Sequence, residues 1–287
     1  MLLHCTAALS RLPLRVHYLL ADGVLYPLLY HLVRYRRKMV RKNLRNAFPD
    51  KTEAERLRIE RDFYHQLAYS AVETVYGYRR TNAELLRDHV HFENLEMIDR
   101  CAREYGGCVV MLSHLGNWEW MASFQEWLSP GVTEMNVYRQ LKSEPMDRLM
   151  LAIRAKREGV CVEKRRILRE MVRYRAEHHP VVLGLISDQK PRPEVTRTWV
   201  DFLHQDTGFL DGGEMLAKKF GYPVFCLTVT RPDRGQYRAR FNLIAETPKD
   251  TPEGEITTLY ARTLEDNIRR QPEIWLWTHN RWKWSRQ

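Results

Sequence analysis

The chain has 287 residues, enough to bury a sizeable core as one large domain or as one domain with appendages. Its 46 lysines and arginines against 36 acids give a net charge of +10, so the surface should attract anions such as phospholipid headgroups. The five cysteines contain no Cys-x-x-Cys pair, which argues against a disulfide framework or zinc ribbon and favours reduced thiols on a cytoplasmic side.

The most apolar part of the chain is its beginning. From Val16 to Val33 the only formal charge is Asp22, but Asp22 and Pro27 make this run a poor free-standing transmembrane helix. A cationic cluster without any acid follows directly, and such clusters favour the cytoplasmic side and anionic headgroups. It consists of Arg34, Arg36, Arg37, Lys38, Arg41, Lys42 and Arg45.

These features predict that residues 1–45 form an N-terminal, membrane-associated helical segment that contacts an anionic membrane surface. The alternative is a buried N-terminal helix followed by a solvated basic face.

Residues 46–287 have the pattern of a single α/β domain. A long helix is predicted over Asp50–Tyr78, where Thr52 and Glu55 form a capping box. Strand and helix signals then alternate, which predicts a mostly parallel or mixed central sheet flanked by helices. The predicted strands are His89–Glu93, Gly107–Ser113, Glu134–Tyr138, Val181–Ser187, Val224–Thr230 and Tyr237–Ile244, and the predicted helices are Leu95–Arg103, Trp118–Leu128, Glu144–Arg157, Met215–Phe220 and Ile256–Arg270. The last two strands are expected to pair across a turn at Asp233-Arg234-Gly235.

The sequence His114-Leu-Gly-Asn-Trp-Glu119 follows the apolar strand at Gly107–Ser113. In open α/β sheets, ligands bind at the carboxyl ends of the strands, where His114 is expected. Glu119 is predicted to fold back across the turn onto the imidazole and orient it, which would make His114 a general base near neutral pH. The alternative is a hydrogen-bonded structural histidine.

Other polar residues are predicted to face the same crevice. Arg139 and Asp188 each follow a predicted strand, and Asn117 is expected to cap the helix after the turn. Arg139 suits a phosphate or an oxyanion, and Arg281 in the aromatic C-terminal segment suits a phosphate. The alternatives are that Arg139 is a surface arginine, that Asp188 has a plain loop role, and that the C-terminal segment with Arg281 serves structural packing.

The region Lys164–Arg175 is predicted to be a basic amphipathic helix, which is either a solvated face or a docking site for an anionic partner. There is no His-Glu-x-x-His motif and no nucleic-acid-binding pattern, so no metal site and no nucleic-acid partner is predicted.

The His114–Glu119 motif resembles the signature of the lipid A biosynthesis (late lauroyl/myristoyl) acyltransferases, within the wider H-x-x-x-x-D/E glycerolipid acyltransferases. Several other motifs along most of the chain are similar to that family. They are the apolar N-terminus with its basic continuation, Tyr138-Arg139, Asp188-Gln189, the block from Phe202 to Ala217 with His204 where many members have glycine, and Trp-x-Trp-x-His-x-Arg-x-Lys at Trp275–Lys283.

The resemblance implies an O-acyltransferase on the cytoplasmic face of the cell inner membrane. The donor would be acyl carrier protein or acyl-coenzyme A, the acceptor a hydroxyl of a lipid A precursor, and no cofactor would be needed. His114 would act as base with Glu119 in support, and Arg139 or backbone N–H groups near Asn117 would stabilise the oxyanion.

Two alternatives remain open at this point. One is the same chemistry on a lysophospholipid or an amino-acid-containing lipid. The other is a non-catalytic, basic membrane-surface or nucleic-acid-binding protein.

Overall fold

The computed structural model describes residues 2–284 and residue 286. Its helices are α1 Leu2–Leu9, α2 Leu14–Leu20, α3 Arg37–Ala47, α4 Glu53–Gly77, α5 Asn82–Asp88, α6 Leu95–Tyr105, α7 Glu144–Arg154, α8 Ile167–Ala176, α9 Gly212–Phe220 and α10 Glu255–Arg270. Its strands are β1 Val90–Glu93, β2 Gly107–Leu112, β3 Thr133–Tyr138, β4 Val160–Glu163, β5 Val181–Ile186, β6 Thr198–Phe202, β7 Gln205–Phe209, β8 Val224–Asp233 and β9 Gln236–Ala245.

Seven of the strands form one sheet in the order β1-β9-β8-β2-β5-β3-β4. Neighbouring strands are parallel except β8 and β9, which pair antiparallel across the predicted turn at Asp233-Arg234-Gly235. The predicted α/β domain with a mostly parallel sheet is confirmed. Strand β4 and the separate antiparallel hairpin of β6 and β7 were not predicted.

The centre of the sheet is the core of the molecule. In β2 and β5, Val109, Val110, Val182 and Leu183 are at most 1% exposed. Both strands are continuous apolar runs because both faces of a parallel sheet are covered. This burial fixes the position of the two carboxyl ends that carry His114 and Asp188.

Helix α4 begins at the predicted capping box: the Thr52 hydroxyl accepts from the Glu55 amide, and the Glu55 carboxylate accepts from the Thr52 amide. One face of α4 also buries three polar residues, Gln66, Ser70 and Glu73, which are at most 7% exposed. Buried polar groups need hydrogen-bond partners, and two of these find them in the turn that follows His114.

The prediction of a helix at Trp118–Leu128 is wrong. The segment forms two 3-10 turns, Trp120–Ala122 and Phe124–Trp127. Ser123, with φ −90° and ψ 0°, lies between them in the bridge region of backbone space, which breaks the α-helical path.

The N-terminal segment packs along α4. Ala21 is fully buried with Ala68 and Val72 of α4, while Val40 and Leu44 of α3 lie in the main core. Two π-helical turns, Ala21–Leu25 and Leu28–Leu32, flank Pro27, which cannot donate a backbone hydrogen bond.

The outer side of this segment carries an apolar stripe, defined as Leu20, Val24, Leu28 and Leu32, which are 38%, 54%, 38% and 77% exposed. Among the described residues, no helix combines the length and the apolar character needed to cross a bilayer. The assignment of residues 1–45 to a membrane role stays a prediction.

Candidate active site

His114 and Asp188 lie side by side because their strands are neighbours in register. In the parallel pair of β2 and β5, Leu112 lies opposite Ile186, and each chain then continues for two residues. The Ser187 N–H donates to the Leu112 carbonyl at 2.9 Å and extends the pairing past the strand ends. The fold therefore brings together two residues that are 74 positions apart.

The Asp188 carboxylate holds both the side chain and the backbone of His114. Its Oδ1 lies 2.7 Å from His114 Nδ1, and its Oδ2 accepts the His114 backbone N–H at 2.9 Å. A carboxylate only accepts hydrogen bonds, so Nδ1 carries the proton and the lone pair is on Nε2. Nε2 lies 3.4 Å from the amide nitrogen of Gln189, an exposed residue.

This environment adjusts the basicity of the pair. Burial by itself lowers the pKa of His114, but the charge and hydrogen bond of Asp188 outweigh it, and the net pKa is raised above its usual value. Burial works against the Asp188 carboxylate too, yet the His114 imidazole, the His114 N–H and the Trp275 indole lower its pKa to about 2. Asp188 is therefore an anion at neutral pH, which strengthens His114 as a base.

The carboxylate that contacts the imidazole is thus Asp188 and not Glu119, which corrects the predicted orientation of Glu119. Glu119, the last residue of the motif, accepts two hydrogen bonds from Arg154, the last residue of α7. The Oε1–Nη2 distance is 2.7 Å and the Oε2–Nε distance is 2.9 Å. Its charge still makes a smaller contribution that raises the His114 pKa.

Asn117 supports the turn from within the protein. Its Oδ1 accepts the Trp120 N–H at 3.3 Å, and its Nδ2 donates to Glu73 Oε2 at 3.2 Å. The helix that Asn117 was predicted to cap is absent, since 3-10 turns take its place. Asn117 is only 1% exposed, so both ends of its side chain serve the fold, and the predicted contact with substrate is not supported.

Glu73 is the centre of a buried network behind this turn. Besides Asn117, it accepts hydrogen bonds from Tyr237 at 2.7 Å and from Tyr18 of α2 at 2.9 Å. Ser70, one turn earlier on α4, donates to the Gly116 carbonyl at 3.0 Å. The turn after His114 is thereby fixed to α4, and through Tyr18 to the N-terminal segment.

The two predicted arginines have different environments. Arg139 follows β3 at the same edge of the sheet and is exposed, in agreement with the predicted position. Arg281 is only 2% exposed, donates to the Gly208 carbonyl and lies over the Phe209 ring. Arg281 therefore holds β7, and its phosphate contact stays a prediction.

The C-terminal segment lines the other side of the motif. Leu115 bridges to Trp275, and the Leu276 N–H donates to the His114 carbonyl at 3.2 Å. The Trp275 indole N–H donates to Asp188 Oδ2 at 2.9 Å. The same segment contacts α3 through Asn43, whose amide donates to the Trp277 carbonyl, so it packs against the N-terminal part of the chain.

A buried histidine–aspartate pair at the carboxyl edge of a parallel sheet is suited to removing a proton from a bound hydroxyl. The family model for the bacterial lipid A biosynthesis acyltransferases matches residues 3–284. The chain belongs to this family. It is therefore an enzyme that transfers acyl groups, and the family implies an acyl donor and a lipid acceptor. Among curated proteins, none matches the chain significantly.

Three residues of the candidate site were not identified from the sequence. Arg154 stands in the basic stretch Arg154-Ala-Lys-Arg157, which gives no sign that one guanidinium turns inward. Glu73 had a detectable signal, because it is an acid at helical spacing from the apolar positions of α4. Trp275 was recognised only as part of an aromatic segment.

Proposed function

We propose that this acyltransferase moves a fatty acyl chain from a thioester donor to a hydroxyl of a lipid A precursor, with His114 as the general base. The observation that carries the proposal is the His114–Asp188 pair, in which Nδ1 is held at 2.7 Å by a carboxylate and Nε2 keeps its lone pair. Such a base is needed because a hydroxyl is a weak nucleophile until its proton is removed.

The reaction is a direct transfer. Nε2 of His114 takes the hydroxyl proton as the acceptor oxygen attacks the thioester carbonyl. The tetrahedral intermediate then collapses, the carbon–sulfur bond breaks, and the proton passes from Nε2 to the leaving thiolate. Asp188 stabilises the imidazolium that forms between the two proton transfers.

The arrangement supports a route without an acyl-enzyme. Ser113, the hydroxyl next to His114 in the sequence, is 5% exposed and lies 2.7 Å from the Tyr260 hydroxyl. It points away from the imidazole, as alternation along an extended chain predicts. Ser113 is therefore a core residue in this proposal.

The backbone of the turn after His114 supplies the hydrogen-bond donors for the oxyanion. Within the described residues, the N–H groups of Trp118 and Glu119 have no backbone or side-chain acceptor. Free N–H groups at the start of a turn stabilise a developing negative charge. Arg139, exposed at the end of β3, is the second candidate for this role.

Membrane association is part of the proposal and is supported by the apolar stripe. Side chains spaced four residues apart along a helical segment form one row, and this row is exposed in the described structure. The cationic cluster from Arg34 to Arg45 follows it. A segment of this kind lies in the interface of an anionic bilayer, and for a lipid acceptor the cytoplasmic face of the inner membrane is the expected location.

Acyl carrier protein is the proposed donor, with acyl-coenzyme A as the alternative. Helix α8 buries Ile167 and Met171 but leaves Leu168 and Val172 43% and 51% exposed. This apolar pair lies among exposed arginines, which suits an acidic, amphipathic partner. The Lys164 N–H donates to the Tyr138 carbonyl, so α8 begins at the sheet edge that carries His114.

The test is acyl transfer from radiolabelled donors to a panel of acceptors: a lipid A precursor, a lysophospholipid and an amino-acid-containing lipid. We expect the lipid A precursor to be labelled and His114→Gln to lose transfer by at least about a hundredfold. Labelling of another acceptor alone would redirect the proposal to that lipid. Turnover by His114→Gln equal to that of the wild type would refute the mechanism.

A further inference from the structure

Asp188 has three hydrogen-bond donors, and they are divided unequally between its two oxygens. Among the described residues, Oδ1 contacts His114 Nδ1 alone, at 2.7 Å. Oδ2 accepts the His114 backbone N–H and the Trp275 indole N–H, both at 2.9 Å. Two donors on one oxygen fix the carboxylate plane and direct the other oxygen at the imidazole.

The indole reaches Asp188 through the backbone register of the C-terminal segment. Trp275 bridges to Leu115, and the next residue donates its N–H to the His114 carbonyl. The indole is 2% exposed and packs against Phe202, Trp277 and Trp282. Its N–H is therefore held close to a buried anion that water reaches poorly.

We propose that Trp275 is a positioning residue for acyl transfer, whose indole N–H sets the orientation of Asp188 and, through it, of His114. The inference rests on the proposed role of His114 as base. It assigns a chemical task to the C-terminal Trp-x-Trp segment beyond packing.

Trp277 supplies a matched control. It lies two residues further along, is fully buried, and its ring centroid is 4.7 Å from that of Trp275. Its indole N–H donates to the Pro272 carbonyl at 2.7 Å and has no contact with Asp188. A Trp→Phe change at either position removes one indole hydrogen bond and a similar volume of packing.

Trp275→Phe should lower kcat on the order of tenfold to a hundredfold, the range for losing a hydrogen bond to a charged group, with little change in KM. The N–H presents a positive dipole end to the pair, so its removal makes Asp188 more basic and favours imidazolium. The acid limb of the rate profile should therefore move to higher pH. Trp277→Phe should leave the position of that limb unchanged.

A double-mutant cycle with Asp188→Asn tests whether the indole acts through the carboxylate. If it does, Trp275→Phe should have little additional effect in the Asp188→Asn background. Three outcomes would overturn the inference and leave the indole a packing role. They are additive effects of the two substitutions, equal shifts of the pH profile in Trp275→Phe and Trp277→Phe, and loss of cooperative unfolding in Trp275→Phe alone.

A measurement independent of turnover separates this inference from the proposed function. In the full chain with isotope-labelled histidine, the His114 resonance is assigned by its absence in His114→Gln. Its titration midpoint should rise in Trp275→Phe and not in Trp277→Phe. If His114→Gln is active, the base assignment fails, whereas an unshifted midpoint in Trp275→Phe contradicts the positioning role itself.

Discussion

Glu119 and Arg154 form a two-point ion pair that joins the turn after His114 to the end of α7. The Glu119 side chain is 8% exposed and that of Arg154 is 27% exposed, so the pair is largely withdrawn from water. Removing one member of a buried pair leaves the other charge without compensation, which is more costly than losing an exposed pair.

The first prediction concerns this pair. Glu119→Ala should lower the free energy of unfolding by roughly 2 kcal/mol, because it leaves the half-buried Arg154 unpaired. Glu144→Ala is the control, since it breaks the exposed pair of Glu144 with Arg148, both on α7. It should lower the free energy of unfolding by less than about 1 kcal/mol. Urea denaturation measures both variants. Equal losses would show that the Glu119–Arg154 pair is not structurally important.

The second prediction concerns pH. His114 must be neutral to act as a base, and its pKa is raised, so the rate should fall as pH decreases through a value above the usual histidine range near 6.5. Asp188→Asn removes the charge that raises this pKa and leaves the lowering effect of burial. The acid limb of the kcat profile should then move to lower pH while kcat falls. A limb that moves to higher pH would contradict the pairing.

The third prediction concerns the apolar stripe. Changing Leu20, Val24, Leu28 and Leu32 to Gln should reduce binding to anionic vesicles by at least about tenfold, because their exposed apolar surface no longer enters the bilayer. Met215 and Leu243, which are 50% and 40% exposed elsewhere, supply the control when changed to Gln. Co-sedimentation with vesicles measures both. Unchanged binding of the stripe variant would remove the anchor role.

The fourth prediction concerns the donor. Reversing Arg166, Arg169 and Arg173 of the α8 region to Glu should raise the KM for acyl carrier protein by roughly tenfold and change the KM for acyl-coenzyme A much less. The effect should shrink as salt rises, because the screening length is about 8 Å at physiological ionic strength. The control reverses three exposed arginines on other helices, Arg100, Arg262 and Arg270.

Steady-state kinetics with the two donors decides the fourth prediction. An equal rise in KM for both donors, or for the control, would assign α8 to another role. Loss of vesicle binding with both KM values unchanged would instead make α8 part of the membrane contact.

The fifth prediction concerns Glu134 of β3, which is 1% exposed, and burial raises its pKa to about 8. Between pH 4.5 and pH 8 the folded protein keeps this proton while the unfolded chain releases it, so stability falls as pH rises through that window. Glu134→Gln should be more stable than the wild type by on the order of 3 kcal/mol at pH 7, and by little at pH 4.5. Thermal unfolding across this pH range measures the stability difference, and a Glu126→Gln change at an exposed position is the control. A gain in stability that does not depend on pH would contradict the burial argument.

The parts of the fold that were predicted are those set by local patterns. The capping box at Thr52, the apolar runs of β2 and β5 and the turn at Gly235 each depend on a few neighbouring residues. The β6–β7 hairpin was missed because its turn has Leu203 and His204 at positive φ values of 53° and 61°. Glycine or asparagine, the usual markers of such a turn, are absent there.

The position of His114 was predicted because a strand end is a local feature, whereas its partner was not. Pairing His114 with Asp188 requires β2 and β5 to be adjacent in the sheet, and strand order depends on the packing of the whole chain. Glu119, five residues from His114, was the nearer choice in sequence. Its carboxylate turns to Arg154 instead, because that arginine arrives from α7 with a fork-shaped pair of donors.

The hydrogen bond from Tyr18 to Glu73 bears on how this enzyme can be shortened. A variant that begins after residue 33 would lack the phenol, and the fully buried Glu73 would lose one of its three donors, keeping Tyr237 and Asn117. A buried carboxylate with fewer partners tends to take up a proton or draw in water, and either change would reach Asn117 and the turn that carries His114. Removing the N-terminal segment would therefore reduce transfer even to a soluble, short-chain acceptor, and Tyr18 would have to be retained in any shorter version that is meant to work.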